Sequence, residues 1–291
     1  MSGEDEQTER VRNQGKPDGL FRACMDEIRS SHTTGQALRT AALAVGLLSD
    51  ANCYAELLGQ FYVVTAALEK RMDELIASSN SGDDKKSSLL VAKVKDLGYS
   101  FTCGYENDLQ ALLGQEWKGI VRLWTTEPAK QYTQVLESAN DIECVAAAFI
   151  LHGPLVIGGG AMLKPRVEKA FGGNTVNVFG GVIGTARGGR SSRRREFIEL
   201  YDTLLENDVD SIDHSDRSSG DYARFSAIVE KCGEFMKLNN QMMVAVRQKP
   251  WWRKYVAATV AAIVSAVVWR IVTTNTESGT ISNTSRNVRL K

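Results

Sequence analysis

Residues 54–76 read YAELLGQFYVVTAALEKRMDELI. Apolar side chains recur in this stretch at three- and four-residue spacing, which is the period of one face of a helix. The same spacing recurs before this stretch, in 20–45, and in several later stretches up to residue 246. Sustained alternation with a period of two, which would indicate strands, is not found. The sequence therefore predicts an all-α protein.

The other helices are predicted from the same period and from turn-forming residues. Because glycine and proline are poor in helix interiors, the longest later helix should be interrupted at Gly153-Pro154 and at Gly158 to Gly160. SNSGDDKKSS (79–88) and the glycine- and serine-rich stretch 172–192 are predicted loops. The remaining predicted helices cover 89–97, 108–113, 128–136, 141–170, 194–206 and 222–246.

Composition limits the classes of function. The chain has 291 residues, 35 basic and 35 acidic side chains and no net charge. No nucleic-acid partner is expected, because a basic footprint is absent. The five cysteines are odd in number and form no CxxC pair, so reduced thiols in a domain facing the cytosol are expected. Residues 1–17 are polar and are expected to be disordered, without a signal peptide.

A second apolar segment lies near the C-terminus. Residues 255–269 read YVAATVAAIVSAVVW, without a charge. Tryptophan and basic residues flank the segment, as at a membrane interface. We therefore predict a helical domain (18–248), a linker (249–254), a transmembrane tail anchor in membrane lipid (255–272) and a short polar tail (273–291). The endoplasmic reticulum is the expected membrane and the mitochondrial outer membrane the alternative. A buried alanine- and valine-rich core helix is the other interpretation.

Three histidines are candidates for chemistry. His214 lies in a polar stretch and is expected to be solvated. His32 follows an amphipathic segment, and such a residue taken alone is typical of a cap or a surface position. His152 lies within an apolar run and is typical of a partly buried helix residue.

Several groups of residues, taken in order and spacing, resemble one family. His32 is followed by Tyr62 and the Ala-Leu-Glu run at 67–69, and then by a group within 106–132. The glycines at 158–160 precede Leu163-Lys164, and Leu200-Tyr201, Asn239 and Gln241 follow in order. The group within 106–132 comprises Glu106, Asp108, Leu109, Gly114, Trp117, Pro128, Ala129, Gln131 and Tyr132. Over about 18–272 this pattern resembles the heme oxygenases, and it implies their multi-helical bundle.

The resemblance implies heme as the cofactor and His32 as the ligand of its iron. Glu27 or Glu69 would accept a hydrogen bond from the other nitrogen of His32. Gly158, Gly159 and Gly160 would let the backbone lie close over the heme face. Arg29, Arg194 and Arg195 would hold the propionates. The stretch ARGGRSSRRR that contains the last two could equally be a solvated patch facing anionic lipid, or a segment controlled by phosphorylation at Ser191 and Ser192.

The sequence also departs from the family pattern. Val156 stands where the family has an aspartate that organises water for proton delivery, and valine cannot hydrogen-bond. His152, one turn earlier, is a possible substitute. Ile198, Asp202 and Met25 stand at positions that are basic in the family.

Three hypotheses therefore remain open. The first is an enzyme that opens heme to biliverdin, iron and carbon monoxide, using dioxygen and electrons from an NADPH-dependent cytochrome reductase. The second is a non-catalytic member of the fold that acts as a heme carrier, a sensor or a structural membrane subunit. The third is an unrelated helical adaptor with a tail anchor, in which the spacing matches arise by chance.

Overall fold

The computed structural model describes residues 19–31, 50–79, 85–157, 159–180, 190–205, 220–246 and 264–265. These residues contain α-helices and two short 3-10 helices, at Gly173–Thr175 and Asn177–Gly180, and no strand. The all-α prediction is thus confirmed for the described residues. Contacts divide the chain into two units, Met1–Gln248 and Lys249–Lys291. The α-helices are α1 (Leu20–Ser31), α2 (Ala51–Ser79), α3 (Lys85–Asp96), α4 (Thr102–Leu113), α5 (Trp117–Trp124), α6 (Glu127–Glu137), α7 (Asp141–Ile157), α8 (Gly159–Phe171), α9 (Arg190–Thr203) and α10 (Gly220–Val244).

Helix α7 is the centre of the first unit. Every residue from Cys144 to Gly153 is buried, because helices α2, α3, α8, α9 and α10 all pack against it. A capping box starts the helix: the Asn140 side chain accepts from the Glu143 amide (2.9 Å), and the Glu143 carboxylate accepts from the Asn140 amide (3.0 Å). An apolar helix that is buried all round needs such a polar start, since its first amides have no intrahelical partner.

Helix α2 forms one side of the unit. Asp50 caps it by accepting from the amides of Asn52 (2.8 Å) and Cys53 (3.3 Å). The helix contacts α3, α4 and α6 along its length. The fully buried Gln60 ties it to the junction between α5 and α6, accepting from the Thr126 amide (2.8 Å) and donating to the Trp124 carbonyl (3.1 Å).

Helix α1 is held at its start by a residue distant in sequence. The Asp202 carboxylate on α9 accepts from the Phe21 amide (3.0 Å), so it takes up one of the unpaired donors at the helix start. The Phe21 ring packs on Phe149 of α7 with centroids 5.6 Å apart. Phe149 continues the cluster to Phe197 and Tyr201. This aromatic cluster joins α1, α7 and α9.

Several predicted boundaries were wrong. Helix α3 begins at Lys85, inside the predicted loop 79–88, and α9 begins at Arg190, inside the predicted loop 172–192. The prediction missed α5, whose eight residues are too short for a clear period. Part of the predicted loop 172–192 forms the two 3-10 helices.

The predicted interruption at Gly153-Pro154 is also wrong. Both residues lie within α7, which continues to Ile157. Pro154 removes one backbone hydrogen bond of the helix, but it lies on the exposed side, and the contacts on the buried faces hold the backbone helical on both sides of it. At the glycines, α7 ends at Ile157 and α8 begins at Gly159, while Gly158 lies outside the described residues.

Other predictions lie outside the described residues. These are the disordered N-terminus, the second half of the stretch 20–45, and the proposed linker, anchor and tail apart from Val264 and Ser265. Within the described part of the chain, no helix has both the length and the apolar character that crossing a membrane requires.

Candidate functional site

His152 lies in the buried part of α7. Its side chain is 3% exposed, and its ring packs on Phe101 with centroids 5.0 Å apart. Neither ring nitrogen has a hydrogen-bond partner among the described residues. Burial lowers the pKa of His152 to about 4, and the positive charge of Lys95 lowers it further in the same direction. The imidazole is therefore neutral at physiological pH, with one donor and one acceptor to offer.

Val156 lies one turn after His152 on α7 and is also buried, at 6% exposure. Residues four apart in a helix share a face, so the buried face that carries the imidazole continues as an apolar surface. Gly159 and Gly160 begin α8 directly beyond this face, and Gly158 lies outside the described residues. The structure thus brings together His152, Val156 and two of the three glycines at the end of α7.

His32, the predicted iron ligand, lies outside the described residues, and Ser31 before it is the last residue of α1. Of its two candidate acceptors, Glu69 is occupied: its carboxylate accepts from the amides of Phe101 (2.7 Å) and Thr102 (3.4 Å) at the start of α4. Glu27 lies against α10, with its Oε1 2.5 Å from the place of a Cβ on Gly233. Glu69 therefore stabilises a helix start, and Glu27 lies on the helix that leads to His32.

The predicted propionate ligands lie on two helices. Arg29 is exposed on α1 and pairs with Asp26 at 3.1 Å. Arg194 and Arg195 are exposed in the second turn of α9. Asp202, at a position that is basic in the family pattern, is the residue that caps α1. The structure explains this acidic residue by its structural role.

Residues that carry the family resemblance contact one another. The Tyr62 hydroxyl donates to the Glu106 carboxylate at 3.1 Å, and the Tyr62 ring packs edge-on against Trp117. Burial raises the pKa of Tyr62 to about 12, and the bond to Glu106 adds to the shift. In the core, Tyr201 donates to the Val145 carbonyl of α7 at 2.9 Å. These residues hold α2, α4, α5, α7 and α9 together.

Asp108 connects α4 to the second 3-10 helix. Its buried carboxylate accepts from the Asn177 amide (2.7 Å), the Asn177 side chain (2.8 Å) and the Val178 amide (3.0 Å). Burial raises the pKa of Asp108, and these three bonds oppose the shift. Gly104 allows the approach, because a Cβ there would lie 2.7 Å from the Val178 Cα. Asp108, which also carries the family resemblance, therefore has a structural role.

Similarity to solved structures agrees with this arrangement. Heme oxygenase 2 from Chlamydomonas reinhardtii, solved without heme, matches with a TM-score of 0.63 and 22% identity, over 79% of this chain and 98% of that chain. The chain has the heme oxygenase fold. Heme oxygenase-1 from the cyanobacterium Synechocystis, in complex with heme, matches with a TM-score of 0.57 and 18% identity, over 86% and 100% of the two chains.

Heme oxygenase-2 from Synechocystis, in complex with heme and NO, matches with a TM-score of 0.56 and 18% identity, over 79% of this chain and 85% of that one. No family model and no curated protein matches the chain. At these identities the likeness establishes the heme oxygenase fold, and the chemistry has to be argued from the residues of this chain.

Sequence reasoning missed segment 99–102, whose Phe101 ring packs on His152. No motif marks it, because its importance comes from contacts with helices that are distant in sequence. In the described part of the chain, no three His, Cys, Asp or Glu side chains are grouped so that they could hold a metal ion.

Proposed function

We propose that the chain binds heme at the end of α7 with His32 as the iron ligand, and that it opens the ring slowly to biliverdin, iron and carbon monoxide. The observation that supports the proposal is the heme oxygenase fold, which matches 98% of the heme oxygenase 2 chain from Chlamydomonas reinhardtii. His32 directly follows α1 in the sequence, and α1 packs on α7 through Phe21 and Phe149.

The residues at the end of α7 fit a large apolar ring with two carboxylates. Val156 offers a buried apolar side chain, and Gly159 with Gly160 offers a backbone without side chains. Exposed Arg29, Arg194 and Arg195 offer guanidinium groups that suit propionates. His152 is a buried imidazole whose two nitrogens have no hydrogen-bond partner among the described residues.

Each residue would have a separate task. His32 would hold the iron, and Glu27 would accept from its other nitrogen and fix the ring. The glycines would bring the backbone close to the ring face. When bound, heme supplies the iron that reacts with dioxygen, with electrons from an NADPH-dependent reductase. Val156 excludes water and cannot pass on a proton, so we expect turnover to be slow.

The first test is a hemin titration of the full chain followed by absorption spectroscopy. We expect a Soret band that His32→Ala abolishes, while His214→Ala, the matched control in a polar stretch, leaves it unchanged. Reductant and dioxygen should then produce a slow rise in bilin absorbance. A Soret band that is identical in His32→Ala would refute His32 as the ligand.

One observation favours a non-catalytic heme protein as the second candidate. Val156 is buried and Asp202 is engaged as a helix cap, so two positions that are polar or basic in the family have other roles here. Such a protein would carry or sense heme, or assemble at a membrane. A His32-dependent Soret band without any bilin would select this candidate.

We also propose that residues 255–272 anchor the chain in a membrane of the endoplasmic reticulum or the mitochondrial outer membrane. The proposal is based on the uncharged run and its tryptophan and basic flanks. The full chain should float with lipid vesicles, and a chain that ends at residue 248 should remain in the aqueous fraction. Equal flotation of both chains would contradict the anchor.

A further inference from the structure

Unpaired polar atoms are concentrated around segment 99–102, the connection between α3 and α4. The Phe101 ring of this segment packs on the His152 imidazole, whose two nitrogens have no partner in the described part of the chain. The hydroxyl of Thr102, the next residue, is buried and equally unpaired among the described residues. A buried donor or acceptor that stays unpaired destabilises the folded state.

A fourth unpaired atom belongs to Arg193, which contacts Tyr99 of the segment. The Tyr99 hydroxyl donates to the Arg193 carbonyl at 3.4 Å, and the Nε of Arg193 is buried without a partner among the described residues. Tyr99 also packs on Phe101 and on Phe197, and Phe197 lies close to Gly153, the neighbour of His152. His152 and Arg193 thus each contact this short segment, to which Thr102 itself belongs.

Glu69 satisfies three polar atoms of the segment. It accepts from the hydroxyl of Ser100 (3.2 Å) and from the amides of Phe101 and Thr102. The carboxylate thus holds the start of α4 on α2. Of the residues with unpaired atoms, His152 lies on α7, Arg193 on α9 and Thr102 in the segment itself. This distribution is typical of a place where ordered water completes the hydrogen bonds.

We propose that His152 binds an ordered internal water beside segment 99–102, and that this water is the hydrogen-bonding group on the α7 face where Val156 offers none. A water needs two to four polar partners; one nitrogen of the imidazole gives one of them, and the unpaired Thr102 hydroxyl offers another. His152 is thus a positioning residue that acts through water. The role of this water toward a bound ring depends on the proposed heme binding; the water site itself does not.

The water site can be tested without heme. The chain has three histidines, so the full chain labelled with 15N-histidine gives three sets of ring signals. His32→Gln and His214→Gln remove the signals of the other two and thereby assign His152. We expect a neutral ring with one fixed tautomer, whose N–H is protected from exchange and shows a cross-relaxation peak to long-lived water. A protected N–H without a water peak, or a freely exchanging N–H, would overturn the proposal.

The role toward heme has a separate readout. Carbon monoxide added to the reduced, hemin-loaded protein reports nearby hydrogen-bond donors through its infrared stretching frequency, because a donor to its oxygen lowers that frequency. We expect His152→Leu to shift the band to higher frequency and to abolish its change in D2O. His152→Gln, whose amide can still hold water, should keep the wild-type band.

The two experiments distinguish between failures. No specific Soret band in the wild type would refute heme binding, and the NMR experiment would still decide the water site. A water peak combined with a carbon monoxide band that His152→Leu leaves unchanged would refute the positioning role. Thermal unfolding of both His152 variants, compared with the wild type, identifies a variant that has failed to fold.

Discussion

Val156→Asp is expected to raise the rate of bilin formation by the hemin-loaded chain about 100-fold. The physical reason is that a carboxylate at this position can accept, order and pass on a proton, whereas valine can do none of these. A proton-delivery group typically contributes about 10²–10⁴-fold. We expect the low end of that range, because the proposed water on His152 already supplies part of the function.

The experiment compares Val156→Asp with Val156→Asn under the same reductant and dioxygen. Asparagine has nearly the same shape and can hydrogen-bond, but it does not exchange a proton as a carboxylate does, so it should gain far less. Because Val156 is buried, both variants should lower the free energy of unfolding by about 1–3 kcal/mol without heme. Equal bilin rates in the wild type and in the folded, hemin-bound Val156→Asp would show that this position does not limit the reaction.

The second large effect is on stability as a function of pH. In the folded chain the pKa of His152 lies at about 4, below the ordinary value of 6.5. Between these two values the unfolded chain binds a proton that the folded chain does not, so the free energy of unfolding falls as the pH is lowered. The fall attributable to His152 should be about 3 kcal/mol at pH 4, with little effect above pH 7.

The measurement is the difference between the wild type and His152→Gln in denaturant unfolding from pH 8 to pH 4. Glutamine does not titrate, so subtracting the two curves removes the contributions of the carboxylates. The charged group that contributes to the shift is Lys95, and Lys95→Gln should therefore reduce the difference slightly. Parallel curves for the wild type and His152→Gln would contradict the lowered pKa of His152 in the folded chain.

Sequence reasoning predicted most of the helices because their apolar period is strong, as in the long helix α2. It was wrong at Pro154, since a proline signal is local and contacts from five surrounding helices keep α7 intact. It could not identify the role of Asp202, because the Phe21 amide that it binds is 181 residues away. Such pairs depend on the packing of helices and leave no local pattern.

The candidate site was predicted in part. Sequence spacing identified Val156 as a departure from the family and His152 as a possible substitute, and the structure places both on the buried face of α7. Sequence spacing left open whether Glu27 or Glu69 accepts a hydrogen bond from His32. In the structure, Glu69 binds the start of α4. The predicted roles of His32, Arg29, Gly158, Gly159, Gly160, Arg194 and Arg195 in heme binding remain predictions.

The contact between α1 and α10 has a consequence for synthesis of the chain. Glu27 of α1 lies against Gly233 of α10, and Cys232 of α10 donates to the Ala146 carbonyl of α7 at 3.9 Å. Helix α10 thus also covers α7, the most apolar of the described helices. A nascent chain therefore cannot bury α7 completely until α10 has left the ribosome. Until then it exposes an apolar surface, so this protein should need chaperones during translation more than one whose helices pack with sequence neighbours.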